Sequence, residues 1–354
     1  MPDYKRTLEE LVLIVEKEGA SDLHLTVNRH PTIRVSGDLI PVVKSPMLTA
    51  EDTMGIALEV LSDANKTIFL EEKEIDFSYS LTGGMRFRCN AFYQRGFVGL
   101  AFRLIPNAIK TLTELRLPER LADFTRRKQG FFLVVGPVGQ GKSTTLASMV
   151  QLINTERAEH IITAEDPIEY MFEGDRSIID QREIRFDTKD FSTALRSMFR
   201  QDVNVGMIGE MRNSETIATA VTAAETGHLI FSTLHTNSAS QTIDRIIDSF
   251  TANQQRQIRI QLAGSLIGIF SQRLLPRTAG GLVPAYELLI NNTAVSNLIR
   301  EGRTAEVDVV IETGSSEGMI DLNHSLAELV EQGEITSETA YRHSINPKSL
   351  DRLL

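Results

Sequence analysis

The chain has 354 residues, 42% of them apolar and 24% charged, and carries a formal net charge of −10. That length accommodates two domains with separate cores, and the acidic balance disfavours a general nucleic-acid binder. Cys89 is the single cysteine, which excludes an intramolecular disulfide and a four-cysteine zinc module. No run approaches the roughly 18 apolar residues of a spanning helix, and no signal-peptide apolar core opens the chain. A soluble cytoplasmic protein is expected.

Leu8 to Lys17 has the spacing of an amphipathic helix, with Leu8, Leu11, Val12 and Val15 on one face. Asp22–Thr26 and Thr32–Val35 read as short strands, with Ser36-Gly37-Asp38 as a hairpin turn. Helical spacing returns from Ala50 to Phe69. Ile75–Leu81 and Arg86–Leu104 alternate as strands do, with Thr82-Gly83-Gly84 turning between them. Residues 1–105 are therefore expected to form a small α+β domain. A linker over 106–113 follows, introduced by Pro106. Arg126-Arg127-Lys128 is the densest basic run and reads as a solvated turn.

From 114 to 275, apolar runs alternate with helical segments. Phe131–Val135, His160–Ala164, Val205–Ile208 and Leu229–Thr233 are the expected parallel strands of a three-layer RecA-like α/β core. Residues 276–354 are expected to be mainly helical, with a loop over Glu312–Gly318. Between the first strand and the helix that begins at Thr144 lies Gly136-Pro137-Val138-Gly139-Gln140-Gly141-Lys142-Ser143-Thr144. Strand, G-x-x-x-x-G-K-S and helix together are the context of a phosphate-binding loop. Its glycines let backbone N–H groups converge on phosphate oxygens at a helix N-terminus. Lys142 would reach the β- and γ-phosphates and the Ser143 hydroxyl would ligate Mg²⁺, so ATP with Mg²⁺ is the expected cargo.

Downstream acids narrow the chemistry. Glu165-Asp166-Pro167-Ile168-Glu169 follows a strand and falls at the ligand edge of a parallel sheet. Its carboxylates hold Mg²⁺ through water, polarise the attacking water, or form a solvated acidic loop. Glu210, at the end of the next strand, is the natural catalytic base; the alternative is a helix N-terminal acid serving only the dipole. His228 and His235 flank the last strand at a spacing unsuited to a helical or zinc-finger metal site. His235 stands where it could sense the γ-phosphate, or it is structural.

In this order, these strings resemble the secretion ATPases, specifically the type IV pilus retraction ATPase (PilT) family, over nearly the whole chain. Gly19–Leu25 resembles that family's N-terminal signature, and Arg86–Phe92 its arginine-bearing strand. Glu165–Glu169 is similar to its Asp box, Gly209-Glu210-Met211-Arg212 to the end of its Walker B strand, and Thr226–Thr236 to its His box. Ala294–Glu301 is similar to its C-terminal A-I-R-N-L-I-R-E helix, with two substitutions. The resemblance implies a PAS-like first domain, a RecA-like second domain and a ring of six subunits. It implies that Arg88 and Arg103, with Arg86 and Arg95 as further candidates, reach the nucleotide as arginine fingers. It implies a PilC-like inner-membrane platform protein as partner, a second retraction ATPase as a further one, and a position at the membrane base of the pilus machine. One departure is Asn204, where the family's Walker B strand usually begins with an acid; a neutral amide there removes charge from the metal's surroundings and predicts slow turnover. Accessory, PilU-like duty and a non-hydrolysing regulator are the alternatives to a retraction motor.

Overall fold

The computed structural model describes residues 3–35, 37–81, 85–105, 108–211 and 213–354. The expected turns at Ser36 and at Thr82-Gly83-Gly84, the linker's Pro106, and Arg212 lie outside the described residues. The chain divides into two compact units. One runs through Ala108 and includes Glu169–Met171; the other comprises Ile109–Ile168 and Phe172–Leu354.

In the first unit, α1 (Tyr4–Lys17) is followed by β1 (Asp22–Leu25), β2 (Thr32–Val35) and β3 (Asp38–Pro41). Next come α2 (Ala50–Val60), α3 (Asp63–Glu72), β4 (Glu74–Ser80), β5 (Arg86–Gln94) and β6 (Phe97–Ile105). The strands form one sheet in the order β3-β2-β1-β6-β5-β4, antiparallel at each pairing. The α1 stripe Leu8, Leu11, Val12 and Val15 is buried against Leu23, Phe87, Cys89 and Phe102. Period-two alternation sends these strand residues to the core face and their neighbours to the other. Burying each large side chain contributes about 1.5–3 kcal/mol. The helical stretch expected over Ala50–Phe69 is two helices, because Ser62 caps α3 by accepting from Asn65 N at 3.3 Å. The strand expected over Arg86–Leu104 folds back at Arg95 and Gly96, whose φ angles are 51° and 84°.

The second unit begins with α4 (Leu121–Thr125), β7 (Gly130–Val135), α5 (Lys142–Glu156) and β8 (His160–Glu165). It continues through β9 (Ile178–Glu183), α6 (Phe191–Met198), β10 (Val205–Ile208), α7 (Ser214–Glu225) and β11 (Leu229–Leu234). Then come α8 (Ala239–Asp248), α9 (Ala252–Ser265), β12 (Leu266–Pro276) and β13 (Leu282–Ile290). The chain closes with α10 (Thr293–Glu301), α11 (Val307–Thr313), α12 (Leu322–Glu331), α13 (Ser337–His343) and α14 (Pro347–Leu350). The sheet order is β13-β12-β7-β11-β10-β8-β9, parallel except at β12–β13.

Both faces of this sheet are covered, which is why its strands read as unbroken apolar runs. Phe131, Leu133 and Val135 pack towards α6–α9, while Phe132 and Val134 pack towards α4 and α5. This is the expected RecA-like three-layer core. The four expected parallel strands are present, and β9 and β12 extend the sheet beyond them. Residues 276–354 are mainly helical, as expected, through α10–α14; β13 precedes these helices and belongs to the core sheet. No helix among the described residues is long and apolar enough to cross a membrane. Because β7, β11, β10 and β8 are parallel, their C-terminal ends share one edge, and four candidate segments leave from it.

Candidate phosphate site

The first segment leaves β7 at Gly136. Its φ is +148°, and a Cβ there would lie 2.5 Å from the Gln272 carbonyl oxygen, so only glycine allows β12 this close. Gly141 closes the loop in the left-handed region, φ 78°, as the N-cap of α5. Lys142 opens that helix and is 7% exposed. Its Nζ donates to the carbonyls of Gly136 and Pro137, each at 2.8 Å, and lies 3.2 Å from His235 Nδ1. Ser143 and Thr144 are half-buried in the first turn of the helix, whereas Pro137, Val138 and Gly139 are exposed. The backbone amides at the helix start are thus the anion-facing end of the unit.

The second segment leaves β11 at His235. An ammonium has no lone pair, so Nδ1 accepts from Lys142 and the ring proton sits on Nε2. That nitrogen faces Glu210 Oε1 at 3.5 Å. The histidine therefore stands between the loop lysine and the carboxylate that follows β10. Glu210 precedes α7 rather than capping it: the cap is Asn213, whose side chain accepts from Thr216 N at 2.9 Å. Two bonds hold the backbone just before Glu210. Gly209 N donates to Ala164 O at 2.8 Å, and the Gly209 carbonyl accepts from Thr233 Oγ1 at 2.6 Å. Ser232 Oγ likewise donates to Ile208 O at 2.8 Å. The sequence reading missed this pair of hydroxyls; the signal was Ser232-Thr233 interrupting an otherwise apolar strand.

The acidic segment after β8 is split. Glu165 is buried, and its Oε1 accepts from Thr163 Oγ1 at 2.7 Å and Gln181 Nε2 at 3.1 Å. Glu183, its partner on the neighbouring strand β9, is also buried and accepts from Ile168 N at 3.3 Å. Asp166 is half-buried at a cis peptide to Pro167, and Glu169 groups with the first unit. His228 sits at the opposite end of β11 from His235, with Nδ1 3.0 Å from Ala223 O; the strand between them separates the rings.

Asn204 corrects an expectation. It precedes β10, at the N-terminal edge of the sheet, and its Oδ1 accepts from His160 N at 2.8 Å. The phosphate loop and Glu210 lie at the other edge, so Asn204 is not among the surroundings of a metal bound there. The ground for expecting slow turnover at that position is removed.

In the first unit, Arg88 and Arg103 are exposed and directly paired across β5 and β6. Asp22 joins the row from β1 and accepts from Arg103 Nε at 2.9 Å, with Arg34 of β2 at 3.9 Å. Burial works against ionisation of Asp22, but the Ser21 hydroxyl and Arg103 outweigh it and hold the carboxyl below the usual range. Arg88 has no hydrogen-bond or ion-pair partner among the described residues. Arg95 is at the β5–β6 turn, at the far end of those strands from Arg88. Cys89 is buried on the opposite, core face.

A RecA-like sheet with this loop, lysine and strand-end glutamate defines the chain as a P-loop ATPase. The model of the family described as "Type II/IV secretion system protein" matches residues 4–353. The chain belongs to that family. It is 42% identical over 342 residues to the type IV pilus retractation ATPase PilT of Pseudomonas aeruginosa, covering 97% of this chain and 99% of the relative. The type IV pilus ATPase PilU of the same organism is 40% identical over 343 residues, covering 97% and 90%. A crystal structure of the pilus retraction motor PilT with bound ADP superposes with a TM-score of 0.91 at 47% identity, over 97% of this chain and 98% of that one.

Proposed function

We propose that this chain is a hexameric motor ATPase that drives type IV pilus retraction and hence twitching motility, acting from the cytoplasm on a PilC-like inner-membrane platform protein. The observation that carries the reading is end-to-end similarity to a retraction ATPase combined with a complete phosphate loop joined through His235 to Glu210. Its organisation is a PAS-like domain over 1–105, a linker over 106–113, an ATPase core over 114–275 and a C-terminal region over 276–354.

Gly136 to Thr144 hold the phosphates of ATP, with backbone amides and Lys142 facing their charge. Glu210 accepts the proton of the attacking water or orients it, on a backbone that Ala164 and Thr233 keep fixed. Ser143, and Asp166 through water, supply hard oxygen ligands of the kind Mg²⁺ takes, and the ion neutralises charge developing on the phosphates. Glu165, tied to Thr163 and Gln181, orients that segment, and Glu169 is a further acid of it. Arg88 and Arg103 are the further nucleotide-binding cations that the family resemblance implies.

A deletion strain carrying this gene's variants tests the reading. Surplus pili with lost twitching, rescued by wild type and not by Glu210→Gln, is the expected result; loss of pili on deletion would overturn it. Similarity to PilU supports a second reading, an accessory motor working beside another retraction ATPase. It is distinguished by twitching that survives Glu210→Gln when the second ATPase is intact. A non-hydrolysing regulator loses its support, since Asn204 lies at the far edge of the sheet.

A further inference from the structure

We infer that Gln272 of β12 is a positioning residue for the phosphate loop, forming a reciprocal clasp with Gln140 that holds the loop ready for nucleotide. The inference rests on the reading of Gly136–Thr144 as the phosphate site. Gln272 is 2% exposed, and both ends of its amide are used. Its Nε2 donates to the Gln140 carbonyl, and its Oε1 accepts from Thr145 Oγ1 at 2.6 Å. Gln140 answers with its own side chain: Oε1 accepts from Leu274 N at 2.7 Å. The Gln272 carbonyl also abuts Gly136 at the start of the loop. One strand therefore grips the loop at its entry, at its fifth residue and in the first turn of α5.

The consequence follows from peptide geometry. In a trans peptide the carbonyl and the next N–H point in opposite directions. Anchoring the Gln140 carbonyl on Gln272 therefore turns the Gly141 N–H away from β12, into the loop. Fixing Thr145 sets the first turn of α5, whose free N–H groups are the other anion donors. An exposed loop with glycines on both sides would otherwise lose more conformational freedom on binding phosphate, weakening affinity. The clasp spends that ordering cost during folding. It touches no reacting atom, so it acts on nucleotide affinity and leaves the chemical step to Glu210.

The test measures binding of a fluorescent ADP and steady-state ATPase activity of the full-length chain. Gln272→Ala and Gln140→Ala should each raise Kd and KM, about tenfold and several-fold respectively, with kcat within about twofold. The double variant should be weaker than wild type by less than the product of the single effects, because both glutamines act on the same loop. Gln272→Glu keeps the acceptor for Thr145 and removes the donor to Gln140. It should lose affinity too and covers the case in which Gln272→Ala does not fold. Wild-type affinity in both Gln272 variants, multiplicative single effects, or a fall confined to kcat would each overturn the clasp. Failure of wild type itself to bind, or binding unchanged in Lys142→Ala, would instead overturn the phosphate-site reading beneath it.

Discussion

Restoring an acid at Asn204 should gain nothing. Asn204→Asp places a charge where an acid of a metal site would be expected from sequence position alone. In the fold that side chain sits before Val205, and Glu210 lies six residues further on, with the four strand residues Val205–Ile208 between them. At about 3.3 Å per residue that strand alone separates the two by roughly 13 Å. A unit charge at that distance in water is worth about 0.3 kcal/mol before screening, and the Debye length at physiological salt is about 8 Å. The Mg²⁺ dependence of ATP hydrolysis and kcat should therefore change by less than about twofold. A carboxylate oxygen still accepts from His160 N, so stability should hold as well. Asn204→Ala should differ: it removes that acceptor and costs about 0.5–1.5 kcal/mol, a melting shift of a few degrees with kcat unchanged. The assay is ATPase rate against Mg²⁺ concentration with a thermal melt of each variant. A fivefold rise in kcat or in apparent Mg²⁺ affinity for Asn204→Asp would refute the placement of this residue at the far edge.

Glu210→Gln should lower kcat about 10²- to 10⁴-fold while nucleotide Kd stays within a few-fold, because it removes the base and spares the loop; a loss confined to affinity would assign Glu210 to binding. Glu287 of β13 offers a pH test. Burial pushes its carboxyl up to about 7, against the bond it accepts from Ala239 N at 2.7 Å. The folded chain then holds a proton that the unfolded chain releases near the ordinary value of 4.5. Stability from this group is complete below the ordinary pKa and declines as pH rises towards 7 and beyond, by an order of 3 kcal/mol in all. Glu287→Gln should thus melt higher than wild type at pH 8 and match it at pH 5. A melting difference that does not change with pH would contradict this account.

Much of the fold was legible because local signals agreed. The stripe on α1, the strands of the parallel core and the loop Gly136–Thr144 each combine periodicity or glycine placement with a matching neighbour, and they form as expected. Boundaries failed where a single residue decides. Ser62 divides the helical stretch and Arg95-Gly96 divides the strand, and neither interrupts the apolar pattern enough to be read in advance. β13 was hidden for another reason: it is an outer strand paired antiparallel to β12, outside the regular alternation of strand and helix.

The sequence by itself determined that this chain carries a phosphate loop, a strand-end glutamate and the family pattern of a secretion ATPase, because those rest on residue types at fixed short spacings. Which distant residues serve the loop was decided only by the tertiary structure. The sheet order brings β11 and β12 to either side of β7, so His235 meets Lys142 and Gln272 meets Gln140 across 93 and 132 residues of chain. The same order sends Asn204 to the opposite edge, since in a parallel strand the first and last residues face different ends of the sheet.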